Sequence, residues 1–304
     1  MQYPIAQANH DPGFRDSDVL TRFATAAEEA GFSAIAFTEH PAPSEKWMRA
    51  GGHDSLDPFA ALGFCAAVTH RLKLMTYLLV LPYRNPLLAA KGAATVDVLS
   101  GGRLVLGVGS GYLRSEFAAL GVEFAERGEL FDEAVEAMRG IWTTEDFTFS
   151  GKHFTAPGQT ASPRPVQHPG PPLWIGGNSR VARARAARYG DGWTPLLNNE
   201  AAANTTRTAL IDSPAQLAAA VRELRNMTAD AGRDPGDVTV QVESAADHVL
   251  LTGDPLERHV ERLHEIAEAG ADWSVVRVPA GHVGAALDGL ARYGAEVITA
   301  LGDT

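Results

Sequence analysis

"LKLMTYLLVLPYRNPLLAAKGAATVDVLSGGRLVLGVGSG", residues 72–111, decides the fold class. Short apolar runs at 72–82 and 103–111 read as strands, and the stretch between them, closed by Gly101 and Gly102, reads as a helix. A helical crossover between neighbouring strands makes those strands parallel. The same unit recurs on both sides. Upstream, "YPIAQA" reads as a first strand, "DVLTRFATAAEEAGF" as an amphipathic helix ending at Gly31, and "SAIAFTEH" as a second strand. "DPFAALGFCAAVTH" follows as a helix with Asp57 as N-cap and Pro58 in its first position. Downstream comes "ERGELFDEAVEAMRGIW", a fourth helix.

The rhythm breaks over residues 143–171, where "TFSGKHFTA" and five prolines read as a hairpin in an extended insertion. It resumes with "PPLWIGG", "SRVARARAARYG", "DGWTPL", the helix "SPAQLAAAVRELRNMTADAG" opened by Ser213 and Pro214, and "DVTVQVE". "DPLERHVERLHEIAEAG", "ADWSVVRVP" and "VGAALDGLARYGAEVITAL" complete the series. Eight strands alternating with helices predict an α/β fold, a (β/α)8 TIM barrel with an insertion after the fourth strand–helix unit. The whole chain, 1–304, would form one domain. An open doubly wound sheet is the alternative.

Composition bounds the function. Hydrophobic residues make up 45% of the chain, enough for a large core. The net charge of −11 and the lack of a basic stripe argue against a nucleic-acid partner. The densest basic cluster, at Arg180, Arg183, Arg185 and Arg188, reads as a solvated helix face. The single cysteine, Cys65, cannot form an internal disulfide and reads as helix packing. The run "LMTYLLVLP" is too short to cross a bilayer and "MQYPIAQANHDPG" is unlike a signal peptide, so a cytoplasmic protein without membrane partners is expected.

In a barrel, chemistry collects at the C-terminal ends of the strands. The second strand exits at Thr38, Glu39 and His40, the third near Thr76–Pro82, the fourth at "GVGSGY" and the fifth at "GGNS". His40 is the natural acid–base group, since imidazole titrates near neutrality; a structural histidine bonding a neighbouring loop is the alternative. Glu39 beside it would orient a ligand or anchor the next loop. The glycine-rich exits match neither the dinucleotide fingerprint nor a phosphate loop with lysine. They suit a cofactor held by backbone N–H groups and hydroxyls. In "LWIGGNSR", 173–180, the glycine pair clears room for an anion, or else forms a tight turn with Asn178 or Ser179 as N-cap. The ten histidines form no H-x-H or H-E-x-x-H pair, so no catalytic metal is expected.

Three blocks carry a family resemblance: "AAEEAGFSAIAFTEHPAP", the run from "DPFAALGFCAAV" to "LGVGSGYLRSEFAALG", and "PPLWIGGNSRVARARAARYGDGW". Together they resemble the bacterial luciferase-like superfamily, and within it the oxidoreductases that use the deazaflavin coenzyme F420. The resemblance implies a barrel with an insertion, a homodimer, and a cofactor ring at the barrel mouth. The ring would rest on Leu78 and Leu79, where the family often has a bulge with a non-prolyl cis peptide, and Thr76 would line the same wall. Gly109, Ser110, Gly111, Tyr112 and Leu113 would border the ring and phosphate tail, and Gly176, Gly177, Asn178 and Ser179 would form the phosphate turn. His40 matches an active-site acid or base. Two departures, Tyr112 for an acid and Glu39 for an aspartate, argue against sugar-phosphate chemistry; Asn9 and His10, at the first strand, are weak candidates.

The expected activity is an F420-dependent oxidoreductase passing hydride between the deazaflavin and a small organic substrate. One alternative is an FMN-dependent monooxygenase served by a flavin reductase. The other is a non-catalytic flavin-binding homologue, against which the Glu39–His40 pair argues.

Overall fold

The computed structural model describes residues 1–244 and 249–302. In chain order the elements are α1 (Ser17–Glu29), β1 (Ala34–Phe37), α2 (Glu45–Arg49), α3 (Pro58–Val68), β2 (Lys73–Val80), α4 (Pro86–Ser100) and β3 (Leu104–Gly109). Next come α5 (Arg114–Ala119), α6 (Arg127–Thr143), β4 (Phe147–Ser150), β5 (Thr155–Gln159), β6 (Leu173–Gly176), α7 (Arg180–Tyr189), β7 (Gly192–Thr194) and β8 (Leu196–Leu197). The remainder comprises α8 (Glu200–Thr206), α9 (Pro214–Asp230), β9 (Thr239–Ser244), α10 (Val249–Thr252), α11 (Leu256–Glu268), β10 (Trp273–Ser274) and α12 (Val283–Tyr293). The chain divides into two compact units, one of Met1–Pro4, Asn9–Ile35 and Pro172–Thr304, the other of Ile5–Ala8 and Ala36–Pro171.

In the second unit, β2 and β3 pair in parallel, with Leu74 opposite Leu104 and Thr76 opposite Leu106. The connecting helix α4 starts where Asn85 accepts the Leu87 N–H at 2.9 Å and Pro86 occupies the first turn; it ends at Gly101 in the left-handed conformation. The ladder slips between Thr76 and Leu79, and the Tyr77–Leu78 peptide is cis. That bulge lies at the strand end where the family resemblance places one. The hairpin expected from "TFSGKHFTA" forms as antiparallel β4 and β5. Buried Asp97 on α4 fixes the following segment, accepting the N–H groups of Val166 (2.8 Å) and Gln167 (3.0 Å) and the Gln167 amide (2.7 Å).

In the first unit, β6, β7, β9 and β10 run parallel in that order, with Trp174 opposite Gly192 and Trp273 opposite Gln241. The helix opened by Ser213 and Pro214 forms as α9, its hydroxyl accepting the Gln216 N–H. Tyr3, Phe14 and Phe23 pack edge to face with centroids 5.1–6.2 Å apart, and Tyr3 donates to the Phe14 carbonyl. This packing replaces the strand expected at "YPIAQA". Pro4 fixes φ and has no N–H for a ladder, so residues 4–6 turn as a 3-10 helix and only Gln2 bridges, to the Val276 carbonyl at 3.0 Å. The strand expected at "ADWSVVRVP" is regular only over Trp273–Ser274. The parallel α/β alternation read from 72–111 thus holds in both units.

Candidate active site

Two buried carboxylates organise the strand exits of the second unit. Glu39, just past β1, accepts the Val80 N–H at 2.6 Å and pairs with the Arg84 guanidinium. It therefore clips the end of β2 to the loop after β1. Arg84 also lies over the Phe59 ring.

His40 is held differently. Its backbone N–H donates to Ser55 Oγ at 2.9 Å, and the Ser55 hydroxyl donates back to its carbonyl at 3.1 Å. The ring nitrogen Nδ1 lies 3.1 Å from Glu116 Oε2. Glu116, on α5, has no exposed surface. Its carboxylate also accepts the Ala42 N–H (3.2 Å) and the Tyr83 hydroxyl (3.0 Å). The other ring nitrogen, Nε2, makes no hydrogen bond among the described residues. Trp47, His53 and Tyr112 surround the imidazole, with ring centroids 4.5, 5.1 and 6.0 Å away. Burial, followed by the charge of Glu116, raises the Tyr83 hydroxyl well above the usual phenol range; the same two causes push Tyr112 up to about 12, opposed by a hydrogen bond with Trp47. Both phenols are thus neutral at physiological pH.

The helix that carries Glu116 is fixed by an apolar cluster of Val80, Tyr83, Phe117 and Phe124. Gly111 (φ +77°) is required beneath it, because a Cβ there would meet Val80 at 2.7 Å and Phe117 at 2.8 Å. Of the residues expected along the ring wall, Thr76 is wholly buried and its hydroxyl donates to the Gly107 carbonyl at 2.7 Å, bridging β2 and β3. Leu79 lies in the core, whereas Leu78 is half-buried; Gly109 makes room for the Leu78 side chain. Ser110, Tyr112 and Leu113 are half-buried between β3 and α5. The second unit therefore brings Tyr112 beside His40 and sets Leu78 against Gly109, whereas Thr76 and Leu79 are buried within the core.

In the first unit, Gly176 ends β6 and Gly177 takes φ +112°. The Gly177 N–H reaches the Thr194 carbonyl at 3.3 Å, and the Asn178 N–H donates to Thr208 Oγ1 at 2.8 Å. The buried Asn178 amide donates to the carbonyls of Leu196 (2.7 Å) and Ala209 (2.8 Å), while its oxygen accepts the Leu196 N–H. Ser179 caps α7 through the Ala182 N–H. The cap role weighed for this turn thus falls to Ser179. Arg180 and Arg183 share Glu223, and Arg183 also donates to the Asn178 carbonyl.

Glu116 is the residue that reading the sequence missed. Its signal was an acid inside the apolar stretch "EFAALG", but 76 residues separate it from His40. Elsewhere, ligand atoms of Glu126, Glu129 and His153 lie within 4.8 Å of one another, and the Lys152 ammonium contacts both glutamates.

Residues 3–246 match the luciferase-like monooxygenase family. The chain belongs to that family. A relative of 36% identity over 183 residues is the FMNH2-dependent dimethylsulfone monooxygenase of Pseudomonas putida; the match covers 58% of this chain and 48% of that protein. The chain thus spans about half the length of this relative. Among solved structures, the coenzyme F420-dependent tetrahydromethanopterin reductase of Methanopyrus kandleri superposes with a TM-score of 0.71 at 17% identity, over 94% of this chain and 96% of that one. A long-chain alkane monooxygenase gives 0.78 at 17% identity, over 99% and 90%. At such identities the likeness carries the fold alone. Among the described residues, no helix is long and apolar enough to cross a membrane.

Proposed function

We propose that this luciferase-like protein is an F420-dependent oxidoreductase acting on a small organic substrate, with His40 as its proton-transfer group. The carrying observation is the state of His40: backbone pegged by Ser55, Nδ1 engaged by a buried carboxylate, Nε2 unengaged, and aromatic rings on its flanks. A general acid or base needs such fixed placement and one ring nitrogen left for the substrate. Half-buried Leu78 at the β2 bulge supplies an aliphatic support for a flat ring, and Ser110–Leu113 supply its border. The chemistry such a deazaflavin brings is two-electron hydride exchange at carbon, with little reactivity toward oxygen. The protein's part is to orient the substrate, exclude water with Trp47 and Tyr112, and hold or release the proton at His40 Nε2.

A second reading, an FMN-dependent monooxygenase supplied by a flavin reductase, is favoured by the identity to the FMNH2-dependent relative. Fluorescence titration with both cofactors discriminates. F420 should bind the more tightly, and FMN binding tenfold tighter, about 1.4 kcal/mol, would reverse the assignment.

For the first unit, taken by itself, the turn at Gly176–Ser179 is proposed to bind phosphate through the N–H groups that open α7. Gly177→Asp places a carboxylate there and should abolish anion binding while the circular dichroism spectrum is kept. Normal binding would make the turn purely structural. A homodimer is proposed through α3 and α4; on α4, Leu88 and Leu99 are 71% and 64% exposed, and on α3, Phe64 is 37% exposed. Light scattering at 32.3 kDa would reject it.

A further inference from the structure

We propose that Glu116, and not the adjacent Glu39, is the positioning residue for His40. It would fix the imidazole with its proton on Nδ1 and support the charge the ring gains when Nε2 takes a proton. This rests on the reading of His40 as the proton-transfer group.

Three observations lead here. An ionised carboxylate can only accept, so a ring nitrogen 3.1 Å from Glu116 Oε2 must donate, which places hydrogen on Nδ1 and the lone pair on Nε2. Glu116 is itself immobilised. It has no exposed surface, its two oxygens accept from Ala42 and Tyr83 as well, and its helix is wedged by Phe117. Glu39 cannot do this work, because its carboxylate is turned to the Val80 N–H and Arg84. Sequence adjacency and spatial function have separated: one acid fixes the backbone at the strand exits and the other fixes the ring.

The proton step balances when a bound deazaflavin serves as the hydride acceptor. In the oxidising direction Nε2 would take the substrate's proton, and the cofactor would accept the hydride. Nδ1 keeps its own hydrogen, and the resulting imidazolium faces the Glu116 carboxylate. In the other direction Nε2 returns that proton. Tyr83 stays neutral throughout and holds the carboxylate rather than joining the transfer.

The test begins with the unaltered protein. Nitrogen-15 spectra of histidine-labelled protein, with the His40 signals assigned by their loss in His40→Gln, should show the Nδ1–H form. An Nε2–H form would overturn the proposal without any variant at position 116. In Glu116→Gln the dominance of that form should be lost, and kcat should drop about 10²-fold with cofactor affinity and KM little changed. Glu39→Gln should leave the His40 spectrum as it was. Should Glu116→Gln fail to fold, Glu116→Asp keeps the charge but withdraws it by one methylene, and should weaken the Nδ1–H signature. An unchanged spectrum in the folded variant would overturn the assignment. Full turnover by His40→Ala would instead remove the parent reading and leave the tautomer result standing.

Discussion

The exits at residues 39–116 and the turn at 176–179 use polar groups in opposite ways. In the first region two buried acids are satisfied by protein, yet one atom at the centre, His40 Nε2, is left unengaged. In the second, the Asn178 amide and the N–H groups of Gly177 and Asn178 all have protein partners. A site for proton transfer must keep a reactive atom open while fixing everything around it. In the turn proposed for phosphate, the Asn178 N–H rests on the Thr208 hydroxyl, the partner that a bound anion would have to displace.

The largest effect expected from this contrast is at His40. His40→Ala should lower kcat by about 10²–10⁴-fold while cofactor affinity, read by fluorescence quenching, changes little. Loss of affinity with normal turnover would make both regions binding surfaces and erase the distinction. Next is Arg84→Met, which leaves the Glu39 carboxylate buried without its ion-pair partner. Breaking such a pair costs about 3–5 kcal/mol, read as a lower urea midpoint at unchanged slope. A loss of only a few tenths would mean that Glu39 does not lock the strand ends.

A smaller and opposite effect is expected at Thr208. Thr208→Val removes the hydroxyl that accepts the Asn178 N–H, so inorganic phosphate should bind several-fold more tightly by calorimetry, on the order of 1 kcal/mol. Weaker binding would show that the hydroxyl belongs to the anion site instead of competing with it. The smallest effect lies outside both regions. Burial alone would raise the Glu133 carboxyl, but hydrogen bonds from the His153 N–H and side chain, and from the N–H groups of Lys152 and Phe154, hold it below the usual carboxylate range. Its stabilisation of the β4–β5 hairpin is present above the unfolded carboxylate pKa and is lost as pH falls through the lowered folded value. Protection factors of the hairpin amides, corrected for the intrinsic pH dependence of exchange, should fall over that acid range in wild type, and much less in Glu133→Gln.

Much of the fold was legible because its punctuation is local. Asp57–Pro58 and Ser213–Pro214 start helices and Gly101 ends one without help from distant residues. "YPIAQA" failed because an apolar pattern cannot report that Pro4 has no hydrogen to give a neighbouring strand. The site divides along the same line. His40 was visible as a histidine at a strand exit. Of the two roles read for Glu39, its contacts with Val80 and Arg84 fit the anchoring one. Glu116 stayed hidden because its partners, Tyr83 and His40, meet it only in three dimensions.

Ser55 returns to His40 and Ala42 is tied to Glu116, so the chain between them is anchored at both ends beside the imidazole. Residues 43–54, which carry Trp47 and His53, form a cassette on fixed hinges. Trp47 and His53 pack on the imidazole, so only the other positions of such a cassette can vary without touching that ring. A directed library confined to those positions would test whether this segment sets substrate choice while the contacts of His40 are kept.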